Sequence, residues 1–338
     1  MKEGANPVLT WNDRGGEVET IHRGRFVVIE EGKRVESLGA VDEWTFPRSN
    51  WKMLQLLPLF SSPEFQSLPL EPKEKAILVA SHGGDETHVQ AVASVLKKTG
   101  LSFENLQCGI HPPLDRKAAD RLVARSEEPG RRHHNCSGKH TGFLIRAQQL
   151  GAPLESYLDP EHPVQVEVRN CIAAILGRPA SSLIPAIDGC GAPAYRASVA
   201  EMAEAFCKLA NPSFLPEAYR EGARLMFEAV NKEPHYIAGE GFFDTCILSA
   251  QPGRFLCKIG ADGFFALGVR KDQSHPALGL AIKIDDGAKR GFETFIASYL
   301  KKRGLVQGDE PSLASLLDPK IYNSQGKPVG IRHTYFEK

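Results

Sequence analysis

RFLCKIGADGFFALGVRKDQSHPALGLAIKID, residues 254–285, decides the fold. It divides into three apolar runs, RFLCKIG, GFFALGV and LGLAIKID. Asp262-Gly263 separates the first two, and a polar loop containing Pro276 separates the last two. Leu280, Ile282 and Ile284 alternate with Ala281, Lys283 and Asp285, the period-two pattern of a strand with one buried face. Asp-Gly between apolar runs is a strong hairpin signal. Residues 7–38 read the same way: EVETI alternates, RFVVIE is a short apolar run, and EEGK is a turn with its glycine in place.

The chain between these segments has helical periodicity. Val164, Val168, Ile172 and Ile175 share a face; so do Val199, Met202, Ala203, Phe206 and Leu209, and again Tyr219, Ala223, Met226, Phe227 and Val230. A last amphipathic helix carries Phe292, Phe295, Ile296, Tyr299 and Leu300. Strands at both ends and helices between them predict an α/β fold of the α+β kind. A mainly antiparallel sheet from about 7–40 and 250–290 is expected, with a helical region over about 88–245. Residues 1–304 are expected to form a single catalytic unit, with 305–338 as a Gly- and Pro-rich C-terminal extension.

Composition narrows the function classes. With 42% hydrophobic and 24% charged residues, the chain reads as globular. The formal net charge is zero and no basic stripe occurs, so nucleic acid has no electrostatic support as a partner. The N-terminus has no apolar h-region and no segment reaches the length of a membrane span, so no membrane partner and a cytoplasmic location are expected. Seven cysteines without CxxC pairs fit a reducing compartment better than a disulfide framework. No phosphate-binding glycine motif stands in the right context.

Three stretches carry groups capable of chemistry. In PRSNWK, Ser49 and Lys52 are three residues apart at a predicted helix start, and so share a face. That is the geometry of a serine activated by a neutral lysine. Alone the spacing is weak evidence, and an N-cap serine before an exposed lysine reads equally well. Ser81-His82-Gly83 after AILVA, and Lys258-Ile259-Gly260 in a C-terminal strand, add weight. Serine with lysine one turn on, then a serine triplet, then Lys-x-Gly on a strand is the layout of serine β-lactamases. The reading pairs Ser49 with Lys52 and Ser81 with Lys258. In RRHHNCSGKHTGFL, Cys136 and Lys139 fall in the first turn of a helix, and IDGCGAPAY places Asp188 and Cys190 in a glycine-flanked turn. Cys136 with Cys190 begins a Zn²⁺ site, for which chemistry alone adds His134 or His140 as third ligand. A reactive thiol at a helix N-terminus, or two plain buried cysteines, fits the same residues.

Together, PRSNWK…LQLLPL, ASHGGDETHV, HNCSGKHTGFL, IDGCGAPAY and KIGADG resemble the L-asparaginase II family typified by the inducible Rhizobium etli-type enzyme, from about residue 7 to about 300. This family is distinct from the threonine-dependent asparaginases. The resemblance implies a fold like serine β-lactamases and serine-dependent glutaminases, and hydrolysis of L-asparagine to L-aspartate and ammonia. It implies Ser49 as nucleophile, Lys52 as its base, and Ser81 with Lys258 as a second pair. Arg48, Asp188, His82 and Gly260 then fall on the substrate side. Cys136, Lys139 and Cys190 are implied as zinc ligands, with lysine in place of histidine and its pKa lowered by the metal and the helix N-terminus. A homodimer is implied as well. The chain departs from the family pattern at Met53, where proline is usual, and at Asn50-Trp51, where smaller residues are usual. Trp51 either reshapes the pocket rim or packs away from it. Other classes remain open: a glutaminase or β-lactamase-like amidohydrolase, or a non-catalytic zinc- or thiol-binding protein.

Overall fold

Alternation and turn chemistry build the sheet as expected. The computed structural model describes residues 6–318 and 320–337. The chain, expected as one unit, divides into two compact ones: Met1–Asn50, Ala197–Cys207 and Cys246–Lys338 form the first, and Trp51–Arg196 with Lys208–Thr245 the second.

The first unit contains the antiparallel sheet. Its strand order is Lys320–Tyr322, Pro328–Thr334, Val8–Arg14, Glu17–Glu30, Leu278–Ile284, Phe264–Val269, Phe255–Gly260, with Lys33–Leu38 also paired to Glu17–Glu30. The long strand Glu17–Glu30 joins the two ends of the chain. Its first half pairs with Val8–Arg14, and its second half with Leu278–Ile284 in the register Leu280↔Val28 and Ile282↔Phe26. Both predicted hairpin turns use positive φ at two consecutive residues, Glu31-Gly32 (47° and 83°) and Asp262-Gly263 (57° and 74°). Mirror-image turns require this, and glycine adopts it without strain. The helix Arg290–Lys302 buries its predicted face on the sheet: Phe26 meets Phe295 and Tyr299 edge-on, each with ring centroids 4.9 Å apart.

Residues 305–338, set apart above as an extension, supply two strands of this sheet. Pro328–Thr334 pairs with Val8–Arg14, Trp11 stacks on His333, and His333 Nε2 lies 2.7 Å from Asp13 Oδ2.

The second unit is helical. Helices begin well before residue 88, as short pieces at Lys52–Gln55, Leu57–Ser61, Pro63–Gln66 and Pro72–Leu78. The helix Ser137–Gln149 is at its centre, buried on nearly every side. Such a helix needs small residues where neighbours come close. A Cβ on Gly138 would stand 2.0 Å from the Ile77 carbonyl oxygen, and one on Gly142 would stand 2.2 Å from Leu56 Cδ1. Gly138→Ala is therefore expected to destabilise the protein by about 3 kcal/mol, because the obstacle is backbone and cannot rotate away. Thermal unfolding should move down by roughly 5–10 °C. An unchanged transition would mean that the two segments are further apart than described. No helix among the described residues is long and apolar enough to cross a membrane.

Candidate active site

Two sets of predicted residues are built separately, one in each unit. In the first unit, the two-residue strand Trp44–Thr45 pairs with Ala197–Ser198 and delivers the chain to Pro47. A 3₁₀ turn, Arg48–Trp51, follows. Arg48 adopts φ +55°, unusual for a residue with a side chain, and its guanidinium pairs with Asp262 at 2.7 Å. Backbone held in the left-handed region immediately before a candidate nucleophile is the kind of strain that collects at functional sites. Ser49 is next, half-buried. Gly260 explains the Lys-x-Gly reading physically. A Cβ there would meet the Pro47 carbonyl oxygen at 2.2 Å and Asn50 Nδ2 at 2.7 Å. The strand Phe255–Gly260 thus closes directly on the Ser49 turn. Lys258 on that strand is fully buried, and its Nζ donates to the Ile259 carbonyl at 3.2 Å.

In the second unit, Lys52 opens the helix Lys52–Gln55 and is only 1% exposed. Its Nζ lies 2.7 Å from Ser81 Oγ, and donates to the Ala80 carbonyl at 2.6 Å and the Asn135 carbonyl at 3.2 Å. Ser81 is held in turn by its backbone N–H, which donates to Ile237 O at 3.0 Å. Lys52 therefore has a serine partner that sequence spacing did not supply. His82, expected on the substrate side, is fully buried; its Nε2 is 2.9 Å from Ser137 Oγ, and burial holds its pKa well below the usual histidine range. Its neutral ring packs rather than faces solvent. Trp51 packs away from any rim: it is buried, with Nε1–H donating to the Tyr195 carbonyl at 2.9 Å.

Cys136, Lys139 and Cys190 come together in the second unit. Cys136 stands at the N-terminal cap of Ser137–Gln149, and Lys139 is one turn on. The opposing turn is tight: Asp188 N–H donates to Ala192 O at 3.0 Å, and Gly191 takes φ +84°. Lys139 Nζ donates to Cys190 Sγ at 3.1 Å. Cys136 hydrogen-bonds to the same sulfur, which lowers the Cys190 pKa and raises that of Cys136; the positive charge of Lys139 and the His140 imidazole favour the Cys190 thiolate further. For Lys139, burial acts to lower the pKa, but the sulfurs of Cys190 and Cys136 and the half-buried Asp188 outweigh it and take it up to about 12. The protein's own groups thus hold a proton on this lysine, opposite to the expected lowering, which rested on the metal's charge.

His140 and His134 separate cleanly. His140 Nδ1 is 2.7 Å from the Tyr157 hydroxyl, and its buried Nε2 makes no regular hydrogen bond and interacts with Cys190. His134 uses Nδ1 to accept the Cys136 N–H at 3.0 Å, and burial takes its pKa down to about 3. The donor set of two sulfurs, an amine and an adjacent imidazole fits a borderline-soft divalent ion such as Zn²⁺. Sequence reasoning passed over Tyr157 and Asn135, which orient His140 and Lys52. Tyr157 lies in no motif, Asn135 lies within HNCSGKHTGFL but acts through its backbone carbonyl, and both act through contacts that only the fold creates.

Comparison with known proteins gives the family. The L-asparaginase II family profile matches residues 11–333. No curated protein matches the chain. Solved structures offer distant likenesses. A probable glutaminase from Bacillus subtilis, complexed with 6-diazo-5-oxo-L-norleucine, is 12% identical, with 84% of this chain and 85% of that one covered and a TM-score of 0.40. A class C β-lactamase from Rhodobacter sphaeroides is 15% identical, covering 84% and 95%, with a TM-score of 0.44. The assignment rests on the family match, which spans both the sheet and the helical segments that carry the serines, lysines and cysteines. The chain belongs to the L-asparaginase II family.

Proposed function

We propose that this member of a family of amidohydrolases hydrolyses the side-chain amide of L-asparagine to L-aspartate and ammonia. The observation that carries the reading is the buried Lys52 amine 2.7 Å from a serine hydroxyl, one helical turn after Ser49. In this reading, Ser49 Oγ attacks the amide carbon and Lys52 takes its proton. Backbone N–H groups of the Ser49 turn hold the oxyanion. Ser81 and Lys258 return a proton to the departing ammonia, and water then releases aspartate from the acyl-enzyme. Asp188 pairs with the substrate's α-ammonium and Arg48 with its α-carboxylate. A site built to pair both charges rejects amides lacking either one.

Cys136, Lys139 and Cys190 would hold Zn²⁺, which when bound supplies a fixed positive charge that orients substrate. The same residues also act without it: Cys190 and Asp188 anchor the Lys139 ammonium, and Tyr157 fixes the His140 ring.

Ammonia release from L-asparagine, L-glutamine and N-acetyl-asparagine tests the reading. Turnover of asparagine is expected, with glutamine and the N-acetylated amide each slower by at least about 100-fold. Preferential release from glutamine would make the chain a glutaminase, and silence on all three amides would remove the proposal.

A further inference from the structure

A second group of metal-ligand side chains meets where the segment after Ser81 folds along residues 234–238. Ser81 N–H donates to Ile237 O at 3.0 Å and Gly83 N–H to Ala238 O at 2.6 Å, which lays the two segments side by side. Asp85 then caps the helix Glu86–Lys98. Its Oδ1 accepts from the His88 N–H at 3.1 Å and from the Thr87 hydroxyl at 2.6 Å. The same turn brings His88 Nδ1 to 3.0 Å from Asp85 Oδ1. From the other segment, His235 Nε2 comes to 3.4 Å from Asp85 Oδ2 and 3.1 Å from Thr87 Oγ1. The donor atoms of Asp85, His88 and His235 all lie within 4.8 Å of one another.

The hydrogen bonding of His88 shows what this convergence suits. His88 is fully buried and its Nε2 is 3.1 Å from the His235 backbone carbonyl, an acceptor only, so Nε2 carries a proton. In the neutral ring, Nδ1 then presents a lone pair. That nitrogen is buried, 3.0 Å from Asp85 Oδ1 and outside regular hydrogen-bond geometry. A lone pair and a carboxylate oxygen 3.0 Å apart repel, and a shared cation between them removes the repulsion. An imidazole whose other N–H is anchored on a backbone carbonyl is also the usual arrangement of a metal-ligating histidine. Tetrahedral ligation with bonds of about 2.0–2.1 Å puts donor atoms about 3.3 Å apart; Asp85 stands 3.0 Å from His88 Nδ1 through Oδ1 and 3.4 Å from His235 Nε2 through Oδ2, and one donor atom from each residue lies within 4.8 Å of the others. Ring stacking of His88 between His82 (5.3 Å) and His235 (4.9 Å) fixes the orientation. The Asp85 and His235 side chains are 17% and 39% exposed, which leaves a side open for water as a further ligand.

We propose that Asp85, His88 and His235 form a divalent-metal site of the imidazole–carboxylate type, suited to Zn²⁺, which clamps the Ser81–Asp85 segment to residues 234–238. It shares no ligand with the cysteine cluster, and its test does not depend on that cluster binding metal.

The experiment is metal stoichiometry of the chelator-stripped full chain, by equilibrium dialysis against Zn²⁺ and elemental analysis. Cys136→Ser/Cys190→Ser should retain one tightly bound Zn²⁺. Adding His235→Gln, or Asp85→Asn (which keeps a capping side chain), should weaken that ion by at least about 100-fold. No tightly bound ion in the double-serine chain, or one indifferent to both further changes, overturns the proposal and leaves a histidine–carboxylate ion pair in its place. Should the double-serine chain misfold, Co²⁺ spectra of the unaltered chain and of His235→Gln decide. The difference should show ligand-field bands without sulfur-to-cobalt charge transfer, and a featureless difference overturns the site.

Discussion

Ser49→Ala is expected to reduce ammonia release from L-asparagine by at least about 10⁴-fold, the scale at which removal of a nucleophile leaves only binding and oxyanion stabilisation. The fold should be untouched. Ser49 is half-buried in a four-residue 3₁₀ turn, so the change removes one hydroxyl and opens no cavity in a packed core. The turn has independent supports: the Arg48 pairing with Asp262 and the close approach of Pro47 to Gly260. Neither involves the Ser49 side chain. The variant should therefore unfold within about 2 °C of the parent, as a surface-type substitution does. Ser81→Ala is the informative partner, because Ser81 is the serine found beside Lys52. If Ser81 forms the covalent bond, Ser49→Ala will keep near-parental turnover and Ser81→Ala will lose it. If Ser49 does, Ser81→Ala should retain measurable turnover, since the nucleophile and its base stay in place.

The elements legible in the sequence are those set by local rules. Alternation at 278–284 and the Asp-Gly and Glu-Gly turns carry their own geometry, and the sheet core follows from them. The amphipathic faces of Pro163–Leu176, Glu217–Lys232 and Arg290–Lys302 are long enough to show a period. The helices between 52 and 78 run for only four to seven residues, less than the two turns a period needs to show. The strands after 305 were invisible for another reason. Pro328–Thr334 has no alternating buried stripe; it is a strand because the open edge of Val8–Arg14 offers backbone partners. Within the site, Cys136 and Cys190 could be read because a helix N-terminus and a glycine turn announce themselves, whereas Lys139 as their companion comes from the family resemblance, local chemistry pointing to His134 or His140. The contact of Lys52 with Ser81 joins residues 29 apart, and the approach of His235 to Asp85 joins residues still further apart, so neither leaves a local trace. The charge on Lys139 depends on which neighbour dominates: among the protein's own groups, the Cys190 sulfur 3.1 Å away favours the protonated form.

Lys52→Met should lower turnover on asparagine by about 10³-fold, within the range for loss of a positioned general base. Nζ has three described hydrogen-bond partners. Two are backbone carbonyls, Ala80 and Asn135, which can only accept. The third is the Ser81 hydroxyl, which can donate as well as accept. A lysine held this way has its N–H groups directed by fixed acceptors, and among these described partners the serine can exchange roles. Methionine keeps the length and buries well at a site only 1% exposed, so packing is largely retained. It leaves two carbonyls without this donor, and a stability loss of about 2 kcal/mol is expected from that alone. A purely structural lysine would produce the same stability loss, so activity alone does not separate the roles. Two readouts do. Lys52→Ala should regain part of its activity in the presence of a small primary amine, which can occupy the vacated space and accept a proton. Ser49→Ala/Lys52→Met should be no slower than Ser49→Ala, since residues acting as one unit do not add their losses. Multiplied losses in the double variant, together with no rescue by amine, would assign Lys52 to holding the Ala80–Ser81 segment in place and move the base elsewhere.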